Sequence, residues 1–403
     1  MSKGSRLHLS YERLALLVSG APAYSSLTLS PLSLQRVQGV NYSFNFNAQQ
    51  LREIGSYEYI KHRELNNSRI PIVSQPEVSL SFSYFLYDAF NEKQIGLTIG
   101  DGVSASRGIF TDSPLYSPPD YSQGSMENPG KGDINFFVLA EDSSWRNDIV
   151  GRSQSEPFDG LDLMGFGNCY LNSYNISASL GNFVQCSAEY SCSNMSFDIY
   201  DSSSKPLSPA VSPQGKRSTS EVSLPEEQLK EQVEHPNEEE SILVLRPGDL
   251  EVYFNNNKKN SEGGFNLVDL NSPGMAVQSI EISIPIDRKT INGFGSSYIK
   301  DRKIQFPIFC TLDISVLARS FEGDGSDIKQ IFKDDVDFAV NLKMFIRDSL
   351  TNKFPKMDIK IDSAKLNSES HSMSIDGYSQ VDASFLFEVT PFGGMSIDLL
   401  PEQ

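Results

Sequence analysis

The residues best suited to chemistry are few. The 403-residue chain has four histidines, His8, His62, His235 and His371, and four cysteines, Cys169, Cys186, Cys192 and Cys310. Nucleophilic catalysis needs a nucleophile beside a base that a third group orients. No histidine here stands in such an order with a serine or cysteine. A zinc site needs cysteines and histidines at short paired spacings, and the chain has no CxxC pair. GFGNCY, Gly165 to Tyr170, contains GxG but lacks the strand, loop and helix that would cradle a phosphate, and reads as the start of a strand. DGVSASRG and the FEGDGSD stretch from Phe321 to Asp327 lack the full spacing of a calcium loop and read as solvated turns. No enzyme, metal or cofactor is therefore expected.

The charge balance points the same way. Fifty-two acidic residues against 34 basic ones leave a net charge of −18. Tight nucleic-acid binding needs clustered Lys and Arg to replace phosphate counterions. An acidic surface can instead let DNA pass without holding it. No run of 18 apolar residues is present, so no membrane span is expected. The apolar stretch from Leu14 to Val18 follows Glu12 and Arg13 and precedes no cleavage pattern, so no signal peptide is expected. The four cysteines read as buried, reduced thiols.

The elements that would position any site are mostly strands. Val78 to Leu86, Asn175 to Leu180, Phe183 to Tyr190, Val340 to Ile346 and Ala383 to Val389 alternate apolar with small polar residues. Such alternation suits antiparallel sheets with one wet face. Helical patterns are short: Tyr11 to Val18 with Ser10 as its cap, Gln49 to Ile54, Glu226 to Val233, and Asp327 to Phe332. From Asp201 to Glu240 the chain is rich in Ser and Pro, then in Glu, and reads as a linker or long loop too polar to offset chain entropy. Asp101 to Lys131 is a second irregular stretch with Phe110, Tyr116 and Tyr121. Its aromatics suit either an arm docked on a neighbour or a loop folded on its own domain.

The two halves repeat one another. VQGVNYSFNF at Val37 and VQSIEISIPI at Val277 lie 240 residues apart, and their blocks share five identities over twenty positions. Leu171 to Tyr190 matches Leu366 to Phe385 at an offset of 195, with seven identities over twenty, beginning Leu-Asn-Ser in both. Phe136 to Asp142 likewise lines up with the strand from Val340. The order of blocks is kept, and the shorter second offset is accommodated by the stretch around 101–132. The expected organisation is mainly β: one unit at 1–200, with an inserted loop or arm at about 101–132, a linker at 201–240, and a second unit at 241–403.

The recurring unit resembles the tail tube proteins of long-tailed bacteriophages. LQRVQGVNYSFNFNAQQLREIGS from Leu34, GNCYLNSYNISASLGNFVQCSAEYS from Gly167 and VQSIEISIPIDRKTINGFGS from Val277 carry the resemblance. It implies two tandem antiparallel β-sandwich or half-barrel units, each with a short flanking helix. It implies a structural virion protein of the tail, assembled in the host cytoplasm. Three copies would close a pseudo-hexameric ring, and rings would stack into a conduit for DNA. Expected partners are other copies, tape measure and tail completion proteins, and double-stranded DNA in transit. Ser177, Ser179, Ser372, Ser374 and Asp382 are then expected to line the lumen, and Phe110, Tyr116 and Tyr121 to form a ring-contact arm. A tail terminator or neck component shares these features. A receptor- or carbohydrate-binding β-sandwich is the other reading, for which Trp145 with Tyr116 and Tyr121 would supply the aromatic surface.

Overall fold

The computed structural model describes residues 11–20, 31–45, 76–86, 89–101, 108–111, 134–142, 160–212, 215–225, 250–256, 267–269, 275–294, 298–299, 301–318, 338–347, 353–373 and 379–399. The helical segments expected at 49–54, 226–233 and 327–332 lie outside these residues. So do Tyr116, Tyr121, Trp145 and Ser374.

The described chain is almost wholly antiparallel β-sheet. The first half contributes β1 (Tyr11–Gly20), β2 (Leu32–Ser33), β3 (Val37–Asn45), β4 (Glu77–Phe85), a five-residue helix α1 (Phe90–Gln94), β5 (Ile134–Asp142), β6 (Asp162–Ser179), β7 (Gln185–Cys192) and β8 (Asn194–Ile199). The second half contributes β9 (Leu250–Asn256), β10 (Leu267–Asp269), β11 (Met275–Pro285), β12 (Arg288–Ile291), β13 (Asp301–Ile304), β14 (Ile308–Ala318), β15 (Phe338–Arg347), β16 (Lys353–Met373), β17 (Ser379–Val389) and β18 (Met395–Leu399).

Pairing follows one plan in both halves. In the first, β3 pairs β4, β4 pairs β7, and β7 pairs the C-terminal half of β6. The N-terminal half of β6 pairs β5 and β8, β5 pairs β1, and β1 pairs β2. In the second, β11, β14, β17 and β16 follow in that order, and β16 continues to β15 and β18, then β9 and β10. The registers also transfer. Val138 lies opposite Met164, and Leu342 opposite Ile359; Ile176 lies opposite Cys186, and His371 opposite Val381.

Each long strand, β6 and β16, bridges two layers, and the core lies between them. Phe136 of β5 meets Phe82 of β4 at 5.4 Å and Tyr190 of β7 at 4.7 Å between ring centroids. In the second half Phe254 of β9 meets Phe385 of β17 at 5.2 Å. Such offset aromatic contacts add to the area they bury.

Two expectations are corrected. Tyr11–Gly20 is a strand, not a helix. Its apolar run lacks alternation because both faces are covered: Leu16 and Val18 join the main core, while Leu17 joins a second cluster with Phe137, Leu139 and Val222. The segment after Asp287 is strand β12, paired with β13. The one helix among the described residues, α1, follows β4, away from every helical stretch read from the sequence.

The second correction concerns the start of the 201–240 segment. Residues 201–212 and 215–225 bury surface after all. They fold back as an irregular hairpin, with Ser208 N–H donating to Ser220 O and Val222 N–H to Pro206 O, both at 2.8 Å. Ala210, Val211, Val222 and Leu224 are buried, and the serines between them are satisfied within the hairpin. Small alternating residues thus suffice where the backbone supplies its own partners. Asn168, at φ 50, ties this hairpin to β6: its side-chain oxygen accepts Val211 N–H at 2.7 Å.

Gly167 makes that approach possible. A Cβ there would sit 2.4 Å from Pro209 O and 2.5 Å from Pro209 C. Gly167→Val should cost about 3 kcal/mol or more by forcing the hairpin off β6, the scale of overpacking in a tight core. Urea unfolding would measure the loss, and limited proteolysis between residues 205 and 225 should speed up. An unchanged midpoint and cleavage rate would show that the hairpin is not docked there.

Candidate functional site

The strands β3, β4, β7, β6, β11, β14, β17 and β16 form one continuous run of eight, because β6 of the first half pairs β11 of the second. One side of this run packs on the core. The other carries the alternate residues: Ser79, Ser81 and Ser83 on β4, Ser187 and Glu189 on β7, Asn175, Ser177 and Ser179 on β6. Glu281 and Ser283 on β11, Thr311 and Asp313 on β14, and Asp382 and Ser384 on β17 continue it. Along their paired lengths (37–45, 77–85, 185–192, 171–179, 275–285, 308–318, 379–389 and 364–373) the one lysine or arginine is Lys365, opposite Leu386 at the end of the run. Six carboxylates lie on this side: Glu77, Glu189, Glu281, Asp313, Asp382 and Glu388.

The face is concave at its centre. A groove of about 670 Å³ runs over the β6–β11 junction, lined by Ser177, Ser179, Glu281, Asp313, Ser370 and Asp382 among others. Ser177 and Ser372 are exposed, and Ser179 and Asp382 half-buried. Ser177, Ser179, Ser372 and Asp382 lie on the same side of the run, and Ser374 lies outside the described residues. Asp382 accepts hydrogen bonds from Ser315 and from Gln380 Nε2 (3.0 Å), which hold its carboxyl below the ordinary value. Gly181, at φ 85, turns the chain from β6 to β7.

Phe110 is placed differently from expectation. It is fully buried, with its ring 5.7 Å from Phe306 of the second half. Its neighbour Ile109 donates to Met395 O at 3.0 Å, and Gly100 donates to Ile397 O at 2.8 Å. The flanks of the inserted stretch thus grip the edge of β18 in the same chain, and Phe110 is an anchor within the chain rather than an outward contact. A second clasp lies at Tyr170, whose ring carries the guanidinium of Arg288 at 5.5 Å and that of Arg302 at 4.9 Å. Cation–π contacts of this kind hold the β12–β13 hairpin against β6.

One titratable cluster lies beneath the sheet. Glu92 of α1 accepts from Tyr84 Oη at 2.8 Å and Tyr174 Oη at 2.9 Å, and Tyr174 Oη also reaches Cys186 Sγ at 3.3 Å. All four are buried, so no substrate reaches them. Asn91 next door pairs both ways with the backbone of Gln35, 2.9 Å as acceptor and 2.7 Å as donor, which fixes the approach to β3. The cluster is a strut between α1, β4, β6 and β7. Its signal in the sequence, a carboxylate in a short polar helix facing two strand tyrosines, is visible only once the strands are paired.

Burial raises the Glu92 carboxyl above its ordinary 4.5, against the lowering pull of the tyrosine hydroxyls. The folded chain therefore holds a proton there that the unfolded chain releases. Stability is full below 4.5 and falls as pH rises toward the raised folded value. Glu92→Gln keeps an acceptor oxygen and should flatten that fall, read as the urea midpoint from pH 4 to 8. A variant with the parent's slope would assign the dependence elsewhere.

Among the described residues, no group of three or more His, Cys, Asp and Glu is gathered as a metal ion would require. All four cysteines are buried, and none is joined in a disulfide. His371 Nε2 lies 3.6 Å from Glu369 Oε1 on the exposed end of β16. No helix among the described residues is long and apolar enough to cross a membrane.

Comparison with known proteins gives likenesses of structure only. No protein-family model matches the chain. No curated protein matches it in sequence. The SPP1 tail tube is similar at 12% identity and a TM-score of 0.23, over 46% of this chain and 77% of that one. A chain of the anti-feeding prophage baseplate is similar at 9% identity and a TM-score of 0.22, over 37% of this chain and 91% of that one. An Hcp protein is similar at 9% identity and a TM-score of 0.20, over 37% and 98% respectively.

Proposed function

We propose that this chain is a structural subunit of a virion tail tube. Three copies, each supplying two equivalent units, close a pseudo-hexameric ring, and rings stack into a conduit through which double-stranded DNA leaves. The groove face supports this reading above all. Eight adjacent strands present serine, asparagine and six carboxylates to one concave side, with Lys365 the one lysine or arginine along their paired lengths. Such a face stays hydrated and repels phosphate, so DNA can slide past it. Heterologous contacts around an axis give a closed ring, and contacts along it give an open-ended stack. The tape measure and tail completion proteins would cap and fill this assembly.

Negative-stain electron microscopy of the purified protein tests the proposal. Rings with a central opening, stacked into tubes, are the expected result. Rings that never stack would assign the chain to a terminator or neck. A monodisperse monomer that binds glycans on an array would replace the tube reading with the receptor-binding one.

A further inference from the structure

Among the described strands one pair joins the sheets of the two halves, and that pair has a counterpart with its two members at opposite ends of the run. Within the chain, β6 and β11 pair from Ser179 opposite Ser279 to Ser173 opposite Pro285. The strand equivalent to β11 is β3, which among the described strands pairs only β4. The strand equivalent to β6 is β16, whose C-terminal half, Ser368 to Met373, pairs only β17 among them.

The closed junction shows what its counterpart lacks. At the junction Ile282 and Ile284 are each 1% exposed; their equivalents Tyr42 and Phe44 are 47% and 37% exposed. Tyr174 and Ile176 are buried, while their equivalents Glu369 and His371 are exposed.

The ends of the junction are equally specific. Gln278 and Asn172 are extra residues that bulge out of register, and each closes one end: Gln278 O accepts Leu180 N–H at 2.9 Å, and Asn172 O accepts Ile286 N–H at 2.6 Å. The same bulges recur at Gln38 and Asn367, in the same residue types. A bulge bends a strand and ends its pairing. The chain thus builds both ends of the junction twice and closes it once.

We infer that β3 of one copy pairs antiparallel with the C-terminal half of β16 of a second copy, in the register of the internal junction. That register sets Asn41 opposite Ser372, Tyr42 opposite His371, Ser43 opposite Ser370 and Phe44 opposite Glu369. The inference rests on the tube reading for its partner, a second copy of this chain, and takes the geometry of contact from the chain itself. Strand addition at an open sheet edge supplies backbone hydrogen bonds, and the flanking side chains supply register.

Cysteine pairs test it, since the four native thiols are buried and give no background. Chains carrying Asn41→Cys are mixed with chains carrying Ser372→Cys under mild oxidation, and Ser43→Cys with Ser370→Cys serves as a second pair. All four positions are exposed in the single chain, so the fold should survive, as circular dichroism would check. Both pairs should give a covalent dimer on a non-reducing gel. Asn41→Cys with Ser370→Cys, displaced by about 7 Å along the strand, should give at least fivefold less. Cross-linking that favours the displaced pair overturns the register. Absence of cross-links while rings are visible overturns this contact and leaves the tube reading standing. Absence of both cross-links and rings, with the chains folded, removes both.

Discussion

A chain carrying Tyr42→Asp and Phe44→Asp remains a folded monomer and no longer assembles. Tyr42 and Phe44 are 47% and 37% exposed in the single chain, so their replacement there costs only part of a core side chain's burial, with about 1 kcal/mol more for the contact of Tyr42 with the Phe166 ring at 5.7 Å. In the assembled state the same positions would be covered by β16, opposite His371 and Glu369. Burying an unpaired carboxylate costs at least about 2 kcal/mol each. Phe44→Asp would also face Glu369 with like charge. About 4 kcal/mol per contact weakens each junction roughly a thousandfold. Sedimentation velocity should show monomer at concentrations where the parent forms rings. The matched control is Ile282→Asp, at the equivalent place in the closed junction, where the side chain is 1% exposed. There the carboxylate is buried inside the chain, and the expected result is loss of the fold rather than of assembly. If the double variant assembles like the parent, β3 is not a contact between copies.

The strand alternation was legible because one face of each of these strands is wet. β4, β7 and β15 fall within one or two residues of their alternating stretches, and β17 starts four residues before its own. Where a strand is covered on both faces the pattern disappears, and Tyr11–Gly20 was read as a helix for that reason. The repeat was legible from a handful of identities, and the structure gives a physical reason for the most telling of them. Val-Gln and Leu-Asn-Ser mark the bulges at Gln38, Gln278, Asn172 and Asn367, where a strand must admit one extra residue at a fixed point. Gly165 and Gly167, read as a strand start, lie within β6 and leave room for Pro209 and Ala210. Nothing local could reveal that, because the approaching hairpin is some 40 residues away and polar enough to pass for a linker. Glu92 was equally opaque, since its partners come from β4, β6 and β7.

The groove face yields the second large effect. Ser177→Lys, Glu281→Lys and Asp313→Lys together place three ammonium groups in one row, because Ser177 pairs Glu281 and Glu281 pairs Asp313 across the junction. All three positions are exposed, so the fold should tolerate the change within about 1 kcal/mol, less the repulsion between adjacent charges. The parent face carries one cation, Lys365, against six carboxylates, too few to displace counterions from DNA, and tubes of the parent should not retain it. In the variant, if three lysines engage phosphates, a fourfold rise in salt should lower affinity about 40-fold. The measurement is retention of labelled duplex DNA by purified assemblies from 50 to 200 mM salt. Retention that appears only in the lysine variant and vanishes with salt would mean that the acidic, serine-lined face keeps DNA moving. Retention by the parent at the same level would mean that the face is a binding surface, and the conduit reading would fail. A variant that assembles and holds no DNA would place the face outside the lumen, because three cations per chain inside a DNA-wide channel cannot avoid the phosphates.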